Sequence, residues 1–221
     1  MNANIGTPVS VATLNLNNPG GTTIAGTDLL LFSKLANPFV PEINVISGSH
    51  TISAPMGLPF AGQTLFNVGT SLDLSGNISG AGGIFVAGAP SATTILSGTN
   101  TFQGNITLSG GSLQVGDGSI GDGNGTISLQ GGTFLPTSSY TISNPCNILN
   151  PSTINTAGND LILSGLITAT STWTKAGAGT LELSNTNNSL SQAIIVDEGI
   201  LLAPSIGVLG GVPEITRMPR I

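Results

Sequence analysis

Five carboxylates carry the strongest case for chemistry in this chain: Asp73, Asp160, Glu182, Asp197 and Glu198. Two carboxyls facing each other across a bound sugar are the equipment of retaining and inverting glycosidases. Their contexts argue against that use. Asp73 in "LDLS" and Glu182 in "LELS" occupy the alternate, outward positions of strand-like runs, where charge serves solubility. Asp197 and Glu198 stand at a turn before Gly199. A lyase would also need a base beside its acids, and the four bases, Lys34, Lys175, Arg217 and Arg220, are scattered.

Other candidates are isolated. Asp117 and Asp122, in the loop "GDGSIGDGNG", carry oxygen ligands of the kind Ca²⁺ prefers. The loop occurs once, whereas glycine-rich Ca²⁺ repeats need their Asp spacing repeated, so the expectation is a solvated turn and no metal. Gly116, Gly118 and Gly121 satisfy G-x-G-x-x-G, but "DGNGTISLQ" follows instead of a helix. A dinucleotide site without a helix N-terminus is not supported, and no cofactor is expected. His50 is the lone histidine, which rules out a His-based triad or multi-His metal site within one chain; the expectation is a solvent-facing turn position. Cys146, between Pro145 and Asn147, lacks a nearby base and reads as a packed thiol. Trp173 reads as packing. The sequons at Asn77, Asn105, Asn124 and Asn187 are expected by chance in a chain so rich in Asn, Ser and Thr. No catalytic residue is assigned.

Composition explains this poverty. Charged residues make up 6 % of the 221 and the net charge is −6, against about 25 % charged in an average globular protein. With four bases, phosphate contacts have almost no donors, and nucleic-acid binding is excluded. No apolar run reaches the ~18 residues of a membrane-spanning helix. The start "MNANIGTPVSVATLN" lacks the basic-then-apolar pattern of an export signal. One cysteine permits no internal disulfide.

The elements that must position any site are short strands. "LDLS", "LILS" and "LELS" alternate apolar and polar residues, the pattern of a strand with one buried face. Ile52, Leu74 and Leu96 recur every 22 residues, and Leu163 and Leu183 are 20 apart. Gly, Asn and Ser close each step, as tight corners require. Such a step predicts an all-β parallel solenoid of about 20–22 residues per coil, roughly ten coils at ~4.8 Å. A slower echo of about 89 residues overlays Thr51 on Thr141, Leu72 on Leu161 and Leu113 on Leu201. It divides one solenoid body, 1–221, into irregular coils or a cap at 1–49, repeat units at 50–139 and 140–211, and an irregular tail at 212–221. Prolines between 136 and 151 predict looser coils or an insertion there. "TDLLLFSKLANP" admits a short helix near 28–36, with an apolar strand as the alternative.

"WTKAGAGTLELSNTNN", residues 173–188, with "IIVDEGILLA" after it, resembles the passenger-associated repeat of autotransporters. Lys175, Gly177, Gly179, Thr180, Leu181, Leu183 and Ser184 fit the pattern, and Asn185 replaces its usual Gly. "TILSGTNTFQGNITLSGGSLQVGDGSIG" resembles a second copy through Leu96, Ser97, Gly98, Asn100, Thr101, Gly104 and Gly111, without the Lys-x-Gly lead-in. The resemblance implies a single-stranded right-handed parallel β-helix exported to the surface of a Gram-negative bacterium. It implies a non-catalytic stalk or adhesin scaffold whose partner is a surface or host receptor, or a glycan. The alternative is a carbohydrate-active β-helix enzyme or carbohydrate-binding surface. Neither an export signal nor a translocator barrel is recognised, so a fragment of a larger passenger is expected, with open solenoid ends available for self-association.

Overall fold

The computed structural model describes residues 7–33, 40–209 and 214–217. Within them the short alternating runs form 27 strands and one 3₁₀ turn, Ile206–Leu209. No helix among the described residues is long and apolar enough to cross a membrane.

The strands stack in parallel into a solenoid of about nine turns with three faces. One face is a nine-stranded sheet running from Thr13–Asn17 to Ser189–Leu190, and the next a ten-stranded sheet from Thr22–Ile24 to Ile215–Arg217. The third face comes in two four-stranded blocks, Val9–Val11 to Ile78–Ser79 and Tyr140–Ile142 to Ile200–Leu202. On the nine-stranded sheet Leu65, Phe85, Thr107, Ser128, Asn147 and Thr168 stand in register at steps of 20, 22, 21, 19 and 21 residues. This is the coil length that the leucine spacing predicts. The first step, Thr13 to Glu42, is longer at 29.

Stacking turns period-two alternation into continuous interior ladders. Ile52, Leu74, Leu96 and Val115 are successive register partners on the ten-stranded sheet, and all are buried. Leu163 and Leu183 are partners on the third face, also buried. The outward Asp73 and Glu182 are half-exposed.

Two local expectations change. Leu30–Phe32 is a strand paired with Val9–Val11, so the helix reading fails there and the strand alternative holds; residues 34–36 lie outside the described residues. The proline-rich stretch carries no insertion: Thr133–Pro136, Tyr140–Ile142, Cys146–Ile148 and Ser152–Asn155 keep the regular coil step. Its prolines fall at strand ends and corners, where no ladder N–H is lost; the Pro145 carbonyl accepts from Ile127 N at 2.8 Å. The 89-residue echo does not stay on one face. Thr51, Leu72 and Leu113 belong to the ten-stranded sheet, whereas Thr141, Leu161 and Leu201 belong to the third face.

The third face is interrupted in two coils, at residues 97–105 and 116–126. There the buried Asn100 side chain adds to the remaining backbone bonds between coils, among them Thr101 N to the Ile78 carbonyl at 2.8 Å. Its Oδ1 accepts from Ile78 N at 2.7 Å, and its Nδ2 donates to the Ser119 carbonyl at 2.6 Å. One side chain thereby bridges the coils on either side of it.

Candidate functional site

The fold sets one of the five acids apart from the rest. Asp73 lies on the ten-stranded sheet, its Oδ1 accepting from Ser97 Oγ at 3.1 Å. Glu182 lies on the third face between the register partners Ile162 and Leu202. Asp160 sits at the corner before that face, where its Oδ1 accepts from Thr180 N at 2.8 Å. Asp197 and Glu198 are exposed in the turn after the strand Ile194–Val196. The structure thus gathers Asp160 and Glu182 on one face and leaves Asp73 on another. Among the described residues no three His, Cys, Asp or Glu side chains form a group able to hold a metal.

The "GDGSIGDGNG" loop spans the second interruption of the third face. Gly118, Gly121 and Gly123 adopt φ of +72°, +85° and +86°, the left-handed region that corners use. A strand, Ile127–Leu129, follows rather than a helix. Ser119 and Ile120 are buried while Asp117 and Asp122 face solvent. Asp122 already accepts Asn124 N and Asn124 Nδ2, both at 3.0 Å. Those bonds hold its carboxyl below the ordinary value.

His50 corrects the expectation of a solvent-facing turn. It is 2 % exposed and lies inside the ten-stranded sheet between register partners Thr22 and Leu72. Its Nε2 is 2.6 Å from the Ser47 carbonyl, which makes that nitrogen the donor, and its Nδ1 meets no partner. Cys146 is buried on the ladder Ile127–Cys146–Ile167, and burial pushes its thiol up to about 12. A thiol so raised is not a nucleophile near neutrality. Trp173 is buried with Nε1 unpartnered, as a packing residue. Asn77 and Asn105, two of the sequon asparagines, accept from Thr99 N and Thr126 N in the next coil, at 3.0 and 2.9 Å. Their side chains are used between coils.

The sequence names Lys175 as a scattered base and a repeat residue, and the structure adds its role. Its ammonium is fully buried and meets four oxygens: Thr156 Oγ1 at 2.9 Å, the Ala176 carbonyl at 2.9 Å, the Gly177 carbonyl at 2.5 Å and the Glu198 carbonyl at 3.0 Å. Burial lowers its pKa, while the nearby Glu198 charge acts in the opposite direction. The signal was parity. In "WTKA", Trp173 and Lys175 share a face, so placing Trp173 inside places Lys175 inside as well.

These geometries describe a parallel β-solenoid scaffold with the Lys175 ammonium locked in its interior. The family described as the passenger-associated-transport-repeat matches residues 91–115 and 174–203, the two stretches on which the resemblance rests. The chain carries that repeat twice, and the likeness to autotransporter passengers is borne out. Among curated proteins, the chain is similar to the adhesin BmaC autotransporter of Brucella suis biovar 1 (strain 1330). The two are 31% identical over 125 residues, which is 56% of this chain and 4% of that protein. The chain therefore matches a small part of a much longer relative. No solved structure matches it.

Proposed function

We propose that the chain is a non-catalytic β-helical segment of an autotransporter-like passenger, a stalk or adhesin scaffold displayed at the surface of a Gram-negative bacterium. The observation that carries this reading is the coincidence of a regular solenoid of about nine turns with two passenger-associated repeats inside it. The similarity to an adhesin supports the surface role. The engagement of Asp160 and Asp122 in backbone hydrogen bonds, and the placing of Asp73 on a different face from Glu182, support the non-catalytic part. The units 50–139 and 140–211 belong to this reading as sequence units.

Display tests it. With an export signal before it and an outer-membrane translocator barrel after it, the chain should reach the outside of a Gram-negative cell. Proteinase K added to intact cells should then remove it. Retention in the periplasm as folded protein would overturn the surface role. Release of reducing ends from polysaccharides by the purified chain, lost in Glu182→Gln, would overturn the non-catalytic part.

A further inference from the structure

Position 175 stands where the interior ladder calls for an aliphatic side chain. Ile154 precedes it in register and Val196 follows it, yet it holds an ammonium with 0 % exposure. Taking an ion out of water costs several kcal/mol unless its hydrogen bonds are replaced. An ammonium has three protons, and four oxygens lie within 3.0 Å of Nζ. Three are carbonyls and one is a hydroxyl, so the set is neutral.

The oxygens come from three successive coils. Thr156 follows the strand Ser152–Asn155, Ala176 and Gly177 close the strand Trp173–Ala176, and Glu198 follows Ile194–Val196. Gly177 and Gly199 turn the chain at this corner with φ of +78° and +72°. Both approach backbone closely, since a Cβ on either would meet backbone atoms at 2.4 Å. Only glycines bring the coils near enough for one ammonium to touch all three. A shell of neutral carbonyl dipoles replacing the hydration of a monovalent ion is also the chemistry of potassium coordination.

We propose that this corner is a monovalent-cation site whose resident cation is the Lys175 ammonium, tethered in place. The cation joins three coils, and its removal leaves a vacancy with the chemistry to take a free alkylammonium or potassium ion. This inference is independent of where the chain is displayed.

The test is chemical rescue. Lys175→Ala removes three methylenes and the ammonium, which n-propylammonium supplies together. The variant should unfold at lower urea than the wild type. Propylammonium chloride should raise its midpoint with the logarithm of concentration, as a ligand of the native state must, and leave the wild type unmoved. Potassium should give a smaller rise; tetramethylammonium, which has no N–H, should give none beyond its effect on the wild type. Lys175→Met keeps the stem without the charge and should be destabilised and unresponsive. Met as stable as Lys, or propylammonium and tetramethylammonium acting alike on the Ala variant, would overturn the proposal. Should the variants fail to fold, NMR of the ¹⁵N-labelled wild type decides. A protected Lys175 ammonium signal at neutral pH supports the site, and a neutral amine or freely exchanging protons there refute it.

Discussion

Leu163 and Leu183 are direct register partners on the third face, buried at 4 % and 0 % exposure, while Glu182 beside them points outward. Their interior ladder has no room for charge. Leu183→Asp should cost several kcal/mol, because it removes packing and buries an unpaired carboxylate. Glu182→Lys should stay within about 0.5 kcal/mol, as surface changes do. Urea melts of both variants test the register, and the opposite ranking would invert the inward and outward faces.

Much of this architecture was legible because alternation and coil length are both written in residue spacing. The 22-residue recurrence of Ile52, Leu74 and Leu96 named an actual ladder. The face on which a motif falls was not legible. "LDLS" at 72–75 falls on the ten-stranded sheet, but "LILS" and "LELS" fall on the third face. Leu74 therefore never stacks on Leu163 or Leu183. All three faces are built from the same short strand and tight corner, so one motif suits any of them and the 89-residue echo slips by a face. The polar interior residues escaped for a different reason. Residue type favours exposure for His50, and the repeat pattern says nothing of the burial of Lys175, whereas the parity of their strands places both inside. The acids of the candidate site were read correctly as outward by that same parity at Asp73 and Glu182.

Glycine substitutions should separate space from backbone conformation. A Cβ at Gly104 would lie 2.3 Å from Gly83 N and 2.5 Å from Gly82 C in the stacked corner, with no positive φ involved. Backbone cannot swing aside as a side-chain tip can, so Gly104→Ala should reach or exceed the top of the ~1–3 kcal/mol range for overpacking. Gly118 has nothing within 4 Å but sits at φ +72°. Gly118→Ala should therefore cost only the left-handed backbone term, about 1–2 kcal/mol. Thermal melts giving equal losses would contradict this division.

Asn100 should behave as a structural bridge. Asn100→Ala leaves Ile78 N and the Ser119 carbonyl without the partners they have at 2.7 and 2.6 Å. Each buried group left unsatisfied costs about 1–3 kcal/mol. Hydrogen exchange should show the loss first at Ile78 and in the 116–125 loop. A variant with wild-type protection at Ile78 would show that the Asn100 bond is dispensable.

The Ca²⁺ response of that loop should be null. Asp122 spends its carboxylate on Asn124, leaving Asp117 as the loop's other acid. Neither EDTA nor millimolar-range Ca²⁺ should move the melting temperature, since a ligand must bind the native state to stabilise it. A concentration-dependent rise, abolished in Asp117→Asn/Asp122→Asn, would make the loop a calcium site.

Alkaline titration should expose two opposed contributions from the core. Burial raises the Cys146 thiol from 9.0 to about 12, so above pH 9 the unfolded chain loses a proton that the folded chain keeps. Stability linked to Cys146 is therefore full below pH 9 and falls between 9 and 12, by up to ~1.4 kcal/mol per pH unit. Lys175 runs the other way. Its folded pKa lies below the ordinary 10.5, so in the window beneath 10.5 the unfolded chain binds more protons, and stability rises with pH. Cys146→Ala should lower stability by a pH-independent cavity cost and flatten the fall between pH 9 and 10, above which the Tyr140 hydroxyl, also raised by burial, adds a fall of its own. Lys175→Met should remove the rise below 10.5 and leave the Cys146-linked fall intact. Urea midpoints measured from pH 7 to 11 read both slopes. A wild type and Cys146→Ala pair with parallel profiles above pH 9 would mean that the thiol is not sealed in the native core.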